Sequence, residues 1–144
     1  MPERETIERA QEDGREGKSP STQAGEFVRE EIHHVREGKH GASSPQQAIA
    51  IGLSKARRAG VKLPAPKRSA SIRKKAAQDT KAGKSRLQTS AKRSRATLAA
   101  LKREPRSAAS HQALSRQARK TAAKRGKRAR QQSAAKAVRT RKAA

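Results

Sequence analysis

The chain has 144 residues, and 37 Lys+Arg against 12 Asp+Glu give it a net charge of +25, which repels itself in a compact body and calls for an anionic partner. It has no Cys, which excludes disulfides, thiolate metal sites and cysteine nucleophiles. Only 1% of residues are aromatic and 31% hydrophobic, many of them Ala, so a single large core is excluded as well. No stretch approaches the ~20 apolar residues of a membrane span. The opening Met1-Pro2-Glu3-Arg4-Glu5 lacks the apolar region of a secretory signal, so a soluble, cytoplasmic protein is expected.

The first predicted helix runs from Pro2 to about Asp13, with Gly14 and Gly17 ending it. It is very polar, and Ile7 is its one large apolar residue after Met1. The second starts at Ser19-Pro20 or a turn later at Thr22. Its apolar residues Ala24, Phe27, Val28, Ile32 and Val35 form one stripe, and Gly38 ends it. Glu30, Glu31 and Glu37 are expected on its exposed face, as solvated charges rather than acid–base catalysts. In the third, Ser44-Pro45-Gln46-Gln47 combines an N-cap Ser, Pro at the first helical position and Gln in the capping-box position. Ile49, Leu53 and Ala56 follow as a stripe, and Gly60 supplies the stop. The two stripes are expected to face each other as a helical hairpin across residues 38–43, with Phe27, Ile32, Ile49 and Leu53 carrying the fold. A core so small points to marginal stability or to a homodimer formed through this module.

At Leu63-Pro64-Ala65-Pro66 two prolines forbid a continuous helix. This sets the expected boundary between a helical module, 1–65, and a basic arm, 66–144. Charge changes at about the same place, with a net −3 over residues 1–50 and +28 over residues 51–144. The arm is rich in Ala, Ser, Lys and Arg without a fixed period. Helix-permissive segments lie at about 71–82, 85–103 and 107–125, punctuated by Gly83, Pro105 and Gly126. Leu87, Ala91, Leu98 and Leu101 hint at a face in the middle one. Like charges three and four residues apart oppose these helices, and a polyanion would remove that opposition. The fold class expected is therefore mainly α: a small hairpin module plus a largely disordered or conditionally helical arm.

Phosphate binding is the chemistry these residues suit, since Arg offers a planar fork and Lys a point charge. The candidate nucleic-acid-binding residues are Lys55, Arg57 and Arg58, whose alternative role is to complement the helix dipole, then Lys67, Arg68, Arg73, Lys74 and Lys75. Further along come Lys92, Arg93 and Arg95, the dense run Lys124, Arg125, Lys127, Arg128 and Arg130, and finally Arg139 and Arg141. With Phe27 alone among aromatics, the stacking platform of single-strand binders is missing. No zinc-finger, RNA-recognition or Gly-rich phosphate-loop pattern occurs. Backbone-driven, sequence-indifferent binding is therefore expected. A metal set of His33 with Glu30, Glu37 or His40 is weighed against a solvated helical face, and the latter is preferred. His111 stands isolated, and neither catalytic residues nor a cofactor is expected.

From Glu26-Phe27-Val28-Arg29-Glu30-Glu31-Ile32 to Lys55-Ala56-Arg57-Arg58-Ala59-Gly60-Val61-Lys62-Leu63-Pro64, the chain resembles a family of small bacterial proteins, mostly uncharacterised, some labelled DNA-binding. The resemblance covers roughly residues 1–66 and implies no mechanism. The Ala/Lys/Arg-rich tail separately resembles bacterial histone H1-like tails. Together these readings give a non-enzymatic, histone-like, nucleoid-associated protein that neutralises and bridges DNA backbones, most readily duplex DNA. The alternatives are an RNA- or ribosome-associated basic protein, and a binder of anionic membranes or polyphosphate.

Overall fold

The computed structural model describes residues 1–67, 69–85 and 90–143. Among these the chain is helical, with α1 Arg4–Arg15, α2 Pro20–Arg36, α3 Pro45–Arg58, α4 Ala70–Lys84 and α5 Ala91–Lys102. A single 3-10 turn at Ser107–Ala109 precedes α6, His111–Ala143. The mainly α expectation holds.

Local chemistry explains the ends of the first three helices. Ser19 and Ser44 sit in extended conformation ahead of Pro20 and Pro45, and each hydroxyl accepts from the N–H three residues on, Thr22 at 3.3 Å and Gln47 at 3.2 Å. The Gln47 side chain closes the box one residue further back than the motif requires: its Oε1 accepts from the N–H of Ser43 at 2.7 Å. All three helices stop at a left-handed glycine, Gly17, Gly38 and Gly60. In each case the next residue's N–H turns back to a carbonyl of the last turn: Lys18 to Asp13, Lys39 to His34, Val61 to Ala56. Gly14, expected to end α1, lies inside it.

α1 packs on α2, α2 on α3, and α3 on α4. The core is small and Ala-rich: Ala10, Ala24, Phe27, Ala56 and Val61, with Ile7, Leu53 and Leu63 packed against it. Phe27 is fully buried and Ile32 nearly so, whereas Ile49 and Leu53 are half-buried. α2 and α3 meet closely at Gly52, where a Cβ would stand 2.7 Å from the Val28 Cα. A side chain there would prise the hairpin apart. Ile7 and the buried Ala10 dock α1, polar as it is, onto this core.

The compact unit does not end at the prolines. It runs Met1–Ser110, and His111–Ala144 forms a second unit. Residues of the expected arm pack on the module at two places. The N–H groups of Gly41 and Ala42 donate to the carbonyls of Leu101 (2.9 Å) and Pro105 (3.0 Å), and Arg36 Nε donates to Ala109 O at 2.9 Å. Ala108 and Ala109 are buried against α2 and α3. The second place is the α3–α4 contact. Prolines interrupt a helix but do not stop the following segment from folding back, so they mark a turn rather than a domain limit here.

The second unit, taken by itself, is α6. It buries no residue, and it is broken at Gly126, whose φ of 74° and ψ of 165° are non-helical. Gly126 is the punctuation point expected from the sequence. α5 also buries nothing, and Leu98 on it is 43% exposed. Leu87 lies outside the described residues.

Candidate nucleic-acid interface

The expected phosphate-binding residues fall into two groups. In the first, the charge is already engaged inside the Met1–Ser110 unit. Lys55, in the last turn of α3, reaches Glu31 Oε2 at 2.7 Å and Glu30 Oε1 at 3.1 Å. Arg58 and Lys75 both reach Asp79, at 2.9 Å and 2.8 Å. Arg57 is half-buried and its guanidinium lies 3.5 Å from the Pro64 carbonyl. In the second group the side chains are exposed: Lys67, then Arg73 and Lys74 on α4, then Lys92, Arg93 and Arg95 on α5. On α6 the same holds for Lys124, Arg125, Lys127, Arg128, Arg130, Arg139 and Arg141. Arg68 lies outside the described residues.

α6 is the densest surface of the second kind. Residues 111–144 hold 7 Arg and 5 Lys and no Asp or Glu, so no side-chain carboxylate of this unit can neutralise them. Before Gly126, Arg116, Lys120 and Lys124 recur at four-residue spacing, and Arg119 stands on the same side. Repulsion along that row works against the helix until counter-charge arrives.

Asp79 is one of only two carboxylate residues after position 50, and it is 3% exposed. Its Oδ1 accepts from Arg58 Nε (3.0 Å), Arg58 Nη2 (2.9 Å) and Lys75 Nζ (2.8 Å), and its Oδ2 from Ser54 Oγ (2.8 Å). Burial pushes its pKa up, but these donors outweigh burial and hold it below the ordinary value. This carboxylate ties α4 to α3 and explains why a basic segment folds back onto the module.

One expectation is corrected. Glu30 and Glu31 are not on an exposed face: Glu30 is 5% exposed and Glu31 is fully buried, while Glu37 is exposed as expected. α2 is covered on two sides, so its polar flanks are buried along with its apolar stripe. Glu30 faces α1, accepting the Glu3 N–H at 3.1 Å, and Glu31 faces α3 through Lys55. Burial raises the Glu30 pKa, but the Glu3 N–H, Lys55 and Thr6 more than reverse this and leave it lowered. Burial likewise works against the Lys55 ammonium, and the two carboxylates overcome it, so its pKa is raised. At the edge, His34 and Lys39 draw the Glu3 pKa from its ordinary 4.5 to about 2.

For the histidines, the solvated face preferred for His33 holds, and a different grouping forms. His33 is exposed, and the buried carboxylate Glu31 is grouped instead with His34 and His40. Adjacent residues on a helix point about 100° apart, so His33 and His34 do not face the same neighbour.

The lowered carboxylates set a pH window. A carboxylate whose folded pKa is depressed contributes stability above its unfolded pKa and loses it as pH falls through the folded value. Glu3, Glu30 and Asp79 should therefore lower the melting temperature of the full chain steadily from about pH 4.5 towards 2. Lys55 acts oppositely, and its contribution is lost only as pH rises past its ordinary 10.5. Thermal melts followed by circular dichroism check this. A melting temperature unchanged at about pH 3 would mean that these carboxylates are not paired.

Residues 15–68 match the model of a family of unknown function, DUF6496. The match takes in α2 and α3, and with them Glu30, Glu31, His34, His40 and Lys55. It agrees with the resemblance of the N-terminal part to small uncharacterised proteins. No curated protein and no solved structure matches the chain. No helix among the described residues is long and apolar enough to cross a membrane.

Proposed function

We propose that the protein is a histone-like, sequence-indifferent DNA-binding protein whose basic surface neutralises and bridges phosphate backbones. The observation that carries this reading is α6: a helix that buries no residue, with 12 Lys+Arg in residues 111–144 and no acidic side chain. Phosphates are the abundant anions that can satisfy such a row, through forked Arg contacts and Lys point charges. Exposed cations also stand on α4 and α5 of the Met1–Ser110 unit. Cations carried by both units are what bridging requires. The cations held by Asp79, Glu30 and Glu31 belong to the fold in this reading and do not contact DNA. Cytoplasmic, nucleoid-associated residence follows from the same reading, as does a non-enzymatic role.

Electrophoretic mobility shifts with full-length protein at near-physiological salt test the proposal. Unrelated duplex sequences of equal length should bind within a few-fold of one another, and structured RNA of that length more weakly. A hundredfold preference for one duplex would instead support a sequence-reading regulator. A clear preference for RNA would move the function to RNA or the ribosome.

A further inference from the structure

The cluster around Glu31 poses a problem of its own, independent of nucleic-acid binding. The Glu31 side chain is 1% exposed, and neither of its carboxylate oxygens makes a hydrogen bond of regular geometry. Its ionic neighbours are the Lys55 ammonium, 2.7 Å from Oε2, and His40 Nε2, 3.1 Å from Oε1. Lys55 also serves Glu30, so two buried carboxylates share one ammonium, and the other basic groups beside them are the imidazoles of His34, 4.0 Å from Glu30, and His40.

His40 sharpens the problem. Its Nδ1 lies 2.9 Å from the Gly41 carbonyl, which can only accept, so Nδ1 carries a hydrogen. In the neutral imidazole, Nε2 then presents a lone pair towards Glu31 Oε1, which is also a lone-pair donor. Two such atoms 3.1 Å apart need a cation between them, either a proton or a metal ion. A third donor converges on the same point. One nitrogen of His34, one of His40 and one oxygen of Glu31 all lie within 4.8 Å of one another, and the two rings stand edge-on at 86°.

We propose that Glu31, His34 and His40 form a binding site for a divalent transition-metal ion of the zinc, cobalt or nickel type. Two imidazole nitrogens and a carboxylate oxygen suit such borderline ions, and they leave one position for water. The surroundings supply the outer contacts such sites use. The Gly41 carbonyl fixes the His40 tautomer, Lys55 holds Oε2 so that Oε1 is the ligand, and Glu3 Oε1 lies 2.9 Å from His34 Nε2. Donors around a metal with bonds of about 2.0–2.1 Å stand about 3.4 Å apart; His40 Nε2 and Glu31 Oε1 are already at 3.1 Å, so His34 is the donor that must move in, by roughly an ångström. His34, in the last turn of α2, can supply that movement through its side chain. Of the three donors, His34 lines an open cleft of about 260 Å³ together with Glu3, Glu30 and Lys39.

The test uses the full-length protein, stripped with a chelator and titrated with Zn(II), Ni(II) or Co(II) alone. One equivalent should bind, raise the melting temperature, and give Co(II) the intense visible bands of a low-coordinate site. Glu31→Gln, His34→Gln and His40→Gln should each weaken binding at least ~10-fold, while His33→Gln and His111→Gln leave it unchanged. Nitrogen-15 spectra of the unaltered chain decide the matter even if a variant misfolds. On adding metal the His40 Nε2 signal should shift while Nδ1 stays protonated. Absence of saturable binding would overturn the proposal. So would an Nε2 that holds its proton throughout, which makes the contact an imidazolium–carboxylate pair, or binding that depends on His33 or His111.

Discussion

Replacing Lys55 by Met is expected to destabilise the protein by about 3–5 kcal/mol, because it strips the ammonium from two buried carboxylates and leaves their charge uncompensated. Native domains are stable by only about 5–15 kcal/mol, so this one change would remove much of the fold's stability. Lys67→Met, at an exposed position without a carboxylate partner among the described residues, should stay within about 0.5 kcal/mol of the parent chain. The double change Lys55→Met with Glu31→Met should recover a large part of the loss, since it removes a buried charge together with its partner. Urea unfolding of the four chains measures all of this. A Lys55→Met protein as stable as its parent would show that Lys55 points to solvent, as a phosphate-binding residue would.

The affinity for duplex DNA is expected to fall steeply with salt. If the basic surfaces bind by releasing condensed counterions, log affinity falls linearly with log salt, with a slope of about −0.9 per phosphate neutralised. Engaging ~6–10 phosphates would lose ~10³–10⁵ in affinity between about 50 and 200 mM salt. Changing Lys124, Arg125, Lys127, Arg128 and Arg130 together to Gln should flatten the slope by up to about 4–5 and weaken every sequence alike. α6 buries nothing, so these changes leave no cavity and the folded content of the Met1–Ser110 unit should be unaffected. Titrations by fluorescence anisotropy at several salt concentrations read the slope directly. A shallow line that the five changes leave unaltered would place binding elsewhere, on a surface that reads bases.

The helices were legible in the sequence because their ends are written in local chemistry. Ser19-Pro20, Ser44-Pro45 and the glycines 17, 38, 60 and 126 act through backbone conformation, which needs no tertiary information. What folds back onto what is set by longer-range pairing, and there the reading failed. Asp79, an acid in a basic stretch that no local pattern singles out, joins α4 to α3. Glu30 and Glu31 looked like solvated charge because charged residues on an amphipathic helix usually are. A signal was nevertheless present. Phe27, Glu31 and Val35 are spaced four apart, so Glu31 interrupts the apolar stripe itself, and Lys55 stands three residues from Gly52 and beside Ala56 on the buried side of α3. An acid within one stripe and a base within the stripe opposite are the mark of a buried pair.

Gly126 matters for how a basic helix can meet a curved anion. A helix of 33 residues would be a rod of about 50 Å, and a straight rod touches a cylinder of DNA only near a tangent point. Most of its cations would then hang clear of the phosphates. With its left-handed conformation Gly126 divides the rod into lengths of 15 and 17 residues, His111–Arg125 and Lys127–Ala143. Each is short enough to lie along the backbone over its own few phosphates. If α6 binds DNA as proposed, the one residue type able to make that bend without strain would let both lengths reach phosphates.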